Sequence, residues 1–205
     1  ILTTMIGNNG NFGLPVIAFA FGQEALAYAS IYFVTSVIML NSLGVFIASL
    51  GHMRPKDALL GLLKVPAIYA IILGIVIVRT GWILPAPLQR TVTLAAGAAV
   101  PCMLILLGLE LQHAEWSRNL RALGIPVFLR LVVGPFIALA LVSIFGLTDS
   151  ARQAGVTQAG MPSAVMAIVV ATEYNLEPSL VTAIVFITTI LSPLTLTPLL
   201  YFLGK

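Results

Sequence analysis

The chain has 205 residues, of which 60% are hydrophobic and only 8% are charged, and its mean hydropathy is +1.08. A soluble globular domain has roughly 25% charged residues, so this composition excludes a water-soluble fold and predicts an integral membrane protein. The apolar runs do not alternate with a period of two, which favours an all-α membrane fold over a β-barrel. The net charge is +3, but the ten Lys and Arg residues are scattered, so we expect no nucleic acid partner.

About seven transmembrane segments are predicted, because the apolar runs exceed the roughly 18 residues expected of a spanning helix. In chain order they are residues 1–22, 25–50, 58–78, 87–111, 122–147, 150–174 and 178–203. The polar stretch 51–57 separates the second span from the third. Two spans, the first and the sixth, contain clusters of helix-breaking residues.

The two breaks occupy corresponding places in the chain. The first is residues 7–15, Gly-Asn-Asn-Gly-Asn-Phe-Gly-Leu-Pro, and the second is residues 157–163, Thr-Gln-Ala-Gly-Met-Pro-Ser. In lipid, an unpaired backbone group costs several kcal/mol, so a broken helix persists only where it lines a cavity or is buried in protein. Two such breaks predict the central binding site of an inverted-repeat transporter.

The order of the spans predicts a fold of two five-helix repeats. The last five spans form a set whose fourth member is broken, and the first two spans resemble the fourth and fifth members of an equivalent set. Because the two broken spans cross in opposite directions, the repeats are inverted. We assign 1–50 to the end of the first repeat, 51–57 to a cytoplasmic loop and 58–205 to the complete second repeat. Basic residues slightly favour the cytoplasmic side for that loop. We therefore expect an N-terminal truncation, with three further spans preceding Ile1.

The first break combines hydrogen-bonding amides with residues that interrupt helices. Gly13 permits close backbone approach, and Pro15 tends to end the helix that precedes it. We expect a new half-helix to start near Val16, with unpaired N–H groups and a positive dipole end that suit a carboxylate. Three side chains there offer two donors and one acceptor each: Asn8, Asn9 and Asn11.

The second break repeats this arrangement. Gln158 provides the amide, Gly160 the flexibility and Pro162 the interruption, while Ser163 provides a hydroxyl at a predicted helix start. If the breaks cross near the membrane centre, two positive half-helix ends converge, and an anion could bind there without any Arg or Lys. The alternative is that these residues merely kink packed helices. The density of polar and helix-breaking residues in both clusters favours substrate binding.

Three further polar residues are candidates for a role in the cavity or in coupling. Arg130, about nine residues into the fifth span, could face the bundle interior and pair with Glu110 or a carbonyl. It could equally mark a span that starts later, and both possibilities stay open. Glu110 ends the fourth span, where a solvated position is favoured. Asn41, with Ser36 in the same span, lines the cavity or forms interhelical hydrogen bonds, and we favour the second.

No pattern typical of an enzyme is present. The chain has no GxSxG elbow, no HExxH motif and no phosphate-binding loop. The lone Cys102 can form neither an internal disulfide nor a metal motif. We therefore predict no catalytic residues, no cofactor and no metal site.

At the two breaks the chain resembles the auxin efflux carrier family, the PIN-like membrane transporters that include bacterial carboxylate carriers. Residues 7–15 are similar to the family's fourth-helix crossover, and 160–163 followed by 171–175 to its ninth. Residues 100–108 and 130–135 are weaker matches. The resemblance implies ten helices in two inverted repeats, export of organic anions, and contact of the crossover residues with substrate. Those residues are Asn8, Asn11, Pro15 and Pro162, with Asn9, Gln158 and Ser163 as neighbours.

The leading hypothesis is a secondary carrier in a bacterial inner membrane that exports a small organic anion by alternating access. One alternative is a sodium-coupled symporter, although neither break contains the Asp or Glu that a sodium site often uses. The other is a membrane sensor or scaffold that binds the ligand without moving it. The expected partners are a small organic anion and the lipid bilayer, and the oligomeric state, a homodimer included, stays open.

Overall fold

A computed structural model describes residues 2–48, 66–111 and 120–204. Within those ranges the chain is almost entirely helical, which confirms the predicted all-α class. Three wider, π-helical turns occur at Asn9–Gly13, Leu40–Gly44 and Leu129–Val133. The α-helices are α1 Leu2–Met5, α2 Leu14–Met39, α3 Val45–Ala48, α4 Pro66–Thr80, α5 Ala86–Leu111, α6 Leu120–Phe128, α7 Gly134–Ile144, α8 Asp149–Ala159, α9 Met166–Glu173 and α10 Pro178–Leu203.

In the described part of the chain, four helical stretches are long and apolar enough to cross a membrane. They are Asn9–Ala48, Ala86–Leu106, Ala122–Ile144 and Pro178–Leu203. The first has 40 residues, and a straight helix of that length would be roughly twice as long as the hydrocarbon core is thick. Gly22 interrupts it with a φ of 81°, so the stretch contains two spans, divided where the sequence predicted.

Two other predicted spans, 150–174 and 58–78, are only partly matched by a continuous helix in the described residues. The predicted span 150–174 is present as the two half-helices α8 and α9, separated by a non-helical segment. The predicted span 58–78 overlaps α4, while its first residues, 58–65, and the loop 51–57 lie outside the described residues. The division of the chain into two inverted repeats stays a prediction.

Small residues let α2 pack closely against α8. Ala25 and Ala29, one helical turn apart on α2, and Ala154 on α8 are buried in one cluster. Without a large side chain between them, the two backbones approach closely, which is the usual packing of membrane helices. On the other side of the breaks, Leu2 and Ile6 pack against Ala167 of α9. These two clusters hold the broken segments against each other.

The helix α10 lies in the interior, and one of its side chains replaces a backbone hydrogen bond that a proline removes. Pro193 has no N–H, so the carbonyl of Thr189 loses its helical donor. The hydroxyl of Ser192 donates to that carbonyl at 2.8 Å instead. Thr188 and Thr189 donate to carbonyls one turn earlier, which pairs their buried hydroxyls within the helix.

Candidate functional site

The two breaks pair with each other through their backbones. The N–H of Asn8 donates to the carbonyl of Pro162 at 2.7 Å, and the N–H of Ala164 donates to that of Ile6 at 3.0 Å. These bonds form an antiparallel bridge between Gly7 and Ser163. Each break thus supplies partners for polar groups that would be costly to leave unpaired in lipid. The prediction that the two breaks cross each other is confirmed.

The first break is shorter than predicted, and the expected helix start near Val16 is wrong. Helical backbone resumes at Asn9, in a π-helical turn in which the N–H of Gly13 donates to the carbonyl of Asn8 at 2.9 Å. Pro15 then lies inside the helix that begins at Asn9, just after the π-helical turn passes into α2. Pro15 therefore does not end a helix.

Ser163 does not start a helix either, contrary to the prediction. The segment 160–165 is non-helical, and α9 begins at Met166. The buried hydroxyl of Ser163 donates to the carbonyl of Thr3 at 2.7 Å, and its N–H donates to Oγ1 of Thr188 at 3.1 Å. Ser163 therefore ties the second break to α1 and to α10.

A cavity of about 290 Å³ lies where the half-helices begin. The first break contributes Asn8, Asn9 and Asn11, and the second contributes Val165 and Met166 at the start of α9. The Asn8 side chain is buried, and its Nδ2 has no hydrogen-bond partner. The cavity therefore combines two helix N-termini with a side-chain donor that is not used within the protein.

Arg130 faces the interior and joins both broken spans. It is 7% exposed. Its Nε donates to the carbonyl of Met161 at 2.7 Å and its Nη1 to that of Thr4 at 3.2 Å. A side chain at Gly7 would collide with the guanidinium. A basic group therefore lies directly behind the first break, and whether an anion binds there without using it stays untested. The side chain of Glu110 lies outside the described residues, so its pairing with Arg130 stays untested.

The sequence over residues 1–200 matches the family model described as "Membrane transport protein". The chain belongs to this family.

The relatives of the chain include auxin efflux carriers and prokaryotic transporters, as the sequence resemblance predicted. An uncharacterized transporter of Methanothermobacter thermautotrophicus is 31% identical over 90% of this chain and 61% of its own length. A putative malonate transporter of Rhizobium meliloti is 29% identical over 95% of this chain and 63% of its own length. Auxin efflux carrier component 8 of Arabidopsis thaliana is 29% identical over 64% of this chain and 38% of its own length. The chain thus spans less than two thirds of the length of these relatives, which are named transporters, not enzymes.

The structure separates the transporter's predicted site residues into two groups. The first group lines the cavity and consists of Asn8, Asn9, Asn11 and Asn41. The second group is absent from its lining and packs around the crossing point instead. It consists of Gly13, Pro15, Gln158, Gly160, Pro162 and Ser163. A binding role for the first group, and a supporting role for the second, are proposals developed below.

Gln158 is the central residue of the second group. It is fully buried, and its Nε2 donates to the carbonyls of Asn9 at 3.1 Å and of Ala29 at 3.2 Å. Its Oε1 has no partner and lies against Gly13, where any side chain would collide with it. Gly160 also allows close packing, because a Cβ there would lie 3.0 Å from the end of the Leu199 side chain, which would have to shift. These residues fix the first break against α8 and α2.

The sequence analysis did not single out Phe33, which packs against Gly10 and lines the cavity. Phe33, Ser36, Leu40 and Asn41 follow a helical spacing and form one face of the second span, which is the signal that could have identified it. Ser36 accepts a hydrogen bond from Nδ2 of Asn9 at 2.9 Å, the interhelical role that we favoured. Asn41 instead donates to the carbonyl of Val37 in its own helix, at 2.8 Å, while lining the cavity.

Proposed function

We propose that the protein is a secondary carrier that exports small organic carboxylates by alternating access. One observation supports this function most directly: the starts of both half-helices, at Asn9 and at Met166, line the same cavity. A helix start presents N–H groups and the positive end of the helix dipole, which favour a negative charge. A carboxylate in the cavity would interact with both ends at once.

The remaining lining suits the rest of a small ligand. Asn8 offers the unused Nδ2 donor, and the apolar side chains of Phe33, Val37 and Met166 offer a surface for a hydrocarbon or aromatic body. Ligand pockets range over roughly 300–1,000 Å³, so a cavity of about 290 Å³ favours a small substrate. The names of the malonate and auxin relatives describe compounds of this class.

Transport would follow from movement of one helix bundle against the other, which exposes the cavity to each side in turn. The membrane potential can drive an anion outward, because it contributes about 2.3 kcal/mol per charge per 100 mV. For a singly charged carboxylate this corresponds to an accumulation of up to roughly fiftyfold.

Truncation of Asn8 tests the site. Its Nδ2 has no partner in the protein, so we expect Asn8→Ala to fold at the normal yield. Malonate and indole-3-acetate transport by the full-length protein in proteoliposomes should fall by about tenfold, the effect of losing roughly one hydrogen bond to a charged group. Thr172→Ala is the matched control, because Thr172 is exposed on α9 and bonds only to the carbonyl of Ile168 one turn earlier. Asn8→Ala transport at the wild-type rate would contradict the proposed site.

A sodium-coupled carrier is the second candidate, and one observation favours it. Three buried side-chain oxygens near the crossing point have no hydrogen-bond partner: Oδ1 of Asn9, Oγ1 of Thr157 and Oε1 of Gln158. Oxygens of this kind suit a small cation, whereas the neighbouring guanidinium of Arg130 opposes one. Replacement of sodium by choline distinguishes the candidates, since the anion exporter keeps its rate and the symporter loses it. Saturable binding without transport under any gradient would select the membrane sensor.

The proposal also includes the membrane, the repeat organisation and the oligomeric state of the carrier. Bacterial and archaeal relatives support a location in a prokaryotic inner membrane. The antiparallel pairing of the two breaks supports the division into 1–50, a cytoplasmic loop 51–57, and 58–205 as inverted repeats. A homodimer is also part of the proposal, and cross-linking of the purified protein tests it.

A further inference from the structure

Arg130 is a buried cation with neutral hydrogen-bond partners. Its side chain donates to the backbone carbonyls of Met161 and Thr4, at 2.7 and 3.2 Å, and the residue is 7% exposed. The carbonyls satisfy N–H donors of the guanidinium but do not neutralise its charge, and an arginine remains protonated in proteins. A buried charge is costly unless an opposite charge is near.

The described part of the chain holds no carboxylate in a position to neutralise Arg130. Every acidic side chain that the structure describes is exposed: Glu24, Asp149, Glu173 and Glu177. In membrane proteins, a buried ionisable residue is by default a candidate for a substrate or ion pathway. Since no described carboxylate neutralises Arg130, an anionic ligand is the candidate for its opposite charge.

The position of Arg130 relative to the cavity indicates which ligand this is. Gly7 lines the cavity, and the guanidinium lies where its Cβ would be. Because Gly7 has no side chain, the positive charge comes close to the backbone that lines the cavity. The guanidinium cannot also hydrogen-bond a ligand there without leaving the carbonyls of Met161 and Thr4. Its effect on the ligand is therefore electrostatic and acts through space.

We propose that Arg130 is a specificity-determining residue whose fixed positive charge makes the cavity select anionic ligands over neutral ligands of the same shape. The inference rests on the proposed function, because it concerns the ligand of the same cavity. At an effective dielectric constant near 20, a unit charge within roughly 12 Å of a charged ligand changes its affinity by about tenfold or more. Removal of the charge should reduce the preference for the anion by that factor and leave the affinity for a neutral analogue nearly unchanged.

Two pairs of probes measure the preference directly. Malonate is compared with malonamide, and indole-3-acetate with indole-3-acetamide, by binding to the full-length protein in lipid nanodiscs at low salt. Arg130→Lys keeps the charge and loses the two-carbonyl contact, while Arg130→Gln keeps amide donors and loses the charge. We expect the anion-to-amide affinity ratio to fall about tenfold in Arg130→Gln and to stay within about threefold of wild type in Arg130→Lys.

A structural role would give a different result, because loosening of the crossing point weakens anion and amide alike and leaves their ratio unchanged. An unchanged ratio in Arg130→Gln therefore overturns the inference. If that variant does not fold, Gly7→Ala replaces it, because the added Cβ displaces the guanidinium while the total charge is kept. A lower ratio in Gly7→Ala supports the inference, and an unchanged one overturns it. Wild-type protein that binds neither carboxylate refutes the proposed function itself, which is a separate and recognisable outcome.

Discussion

Replacement of Gln158 by Met tests whether the crossing point is held by the two hydrogen bonds of this side chain. Met has nearly the same length and volume, so the substitution removes the amide and leaves little cavity. Two buried carbonyls, those of Asn9 and Ala29, would each lose the side-chain donor and keep a backbone donor of the helix, which for Asn9 is the N–H of Leu14. The net loss of one such hydrogen bond costs about 0.5–1.5 kcal/mol. Removal of the partnerless Oε1 offsets roughly 1 kcal/mol of this loss.

The net loss that we expect for Gln158→Met is therefore about 1–2 kcal/mol of unfolding free energy. Gln153→Met is the matched control on the same helix, since Gln153 makes one bond, to the carbonyl of Leu203 at 3.1 Å, in a half-buried position. It should cost about 1 kcal/mol or less. Both values can be measured by unfolding the purified protein in mixed micelles with increasing SDS.

The reasoning is refuted if Gln158→Met is no less stable than Gln153→Met. That result would mean that the two hydrogen bonds of Gln158 contribute little, and that packing alone maintains the contact between α8 and the first break. Retained stability with lost transport would further assign Gln158 to the ligand.

Two other substitutions test the backbone of the broken spans. Gly22→Ala should cost about 1–2 kcal/mol, because Gly22 has a φ of 81° and no neighbour within 4 Å, so backbone strain is the whole effect. Gly97→Ala, inside α5 and equally free of neighbours, should instead be neutral or stabilise the protein by up to about 1 kcal/mol. Ser163→Ala should cost about 1–3 kcal/mol, because the buried carbonyl of Thr3 loses its donor. Ser143→Ala removes only an exposed bond within a helix, so a loss as large as that of Ser163→Ala would contradict the role given to Ser163.

The spans and the existence of both breaks could be predicted because their signals are local. A long apolar run predicts a membrane span, and a cluster of Gly, Asn and Pro predicts a helix break, whatever other elements surround them. The start of α5 at Ala86 lies one residue from the predicted start, and both ends of α10, at Pro178 and Leu203, match the prediction. Gly22 divides the first two spans where the apolar pattern indicated.

The details of the crossing point could not be predicted, because they depend on which element lies opposite. Pro15 is compatible with the end of one helix or the early part of the next, and its neighbours decide between them. The hydroxyl of Ser163 suits a helix start as well as a distant carbonyl. Arg130 has a defined role only once the carbonyls of Met161 and Thr4 are seen to lie beside it. Tertiary position, absent from local patterns, determines all three.

The bridge between Gly7 and Ser163 also restricts how such a carrier can move. Its two hydrogen bonds, of 2.7 and 3.0 Å, fix the register of the two strands of backbone. Sliding one strand past the other by a single residue would break both bonds in a place where water cannot replace them. The two broken helices must then travel together, with the cavity between them intact. Substrate would cross the membrane in a binding site that is carried whole, not in one that is taken apart and rebuilt in every cycle.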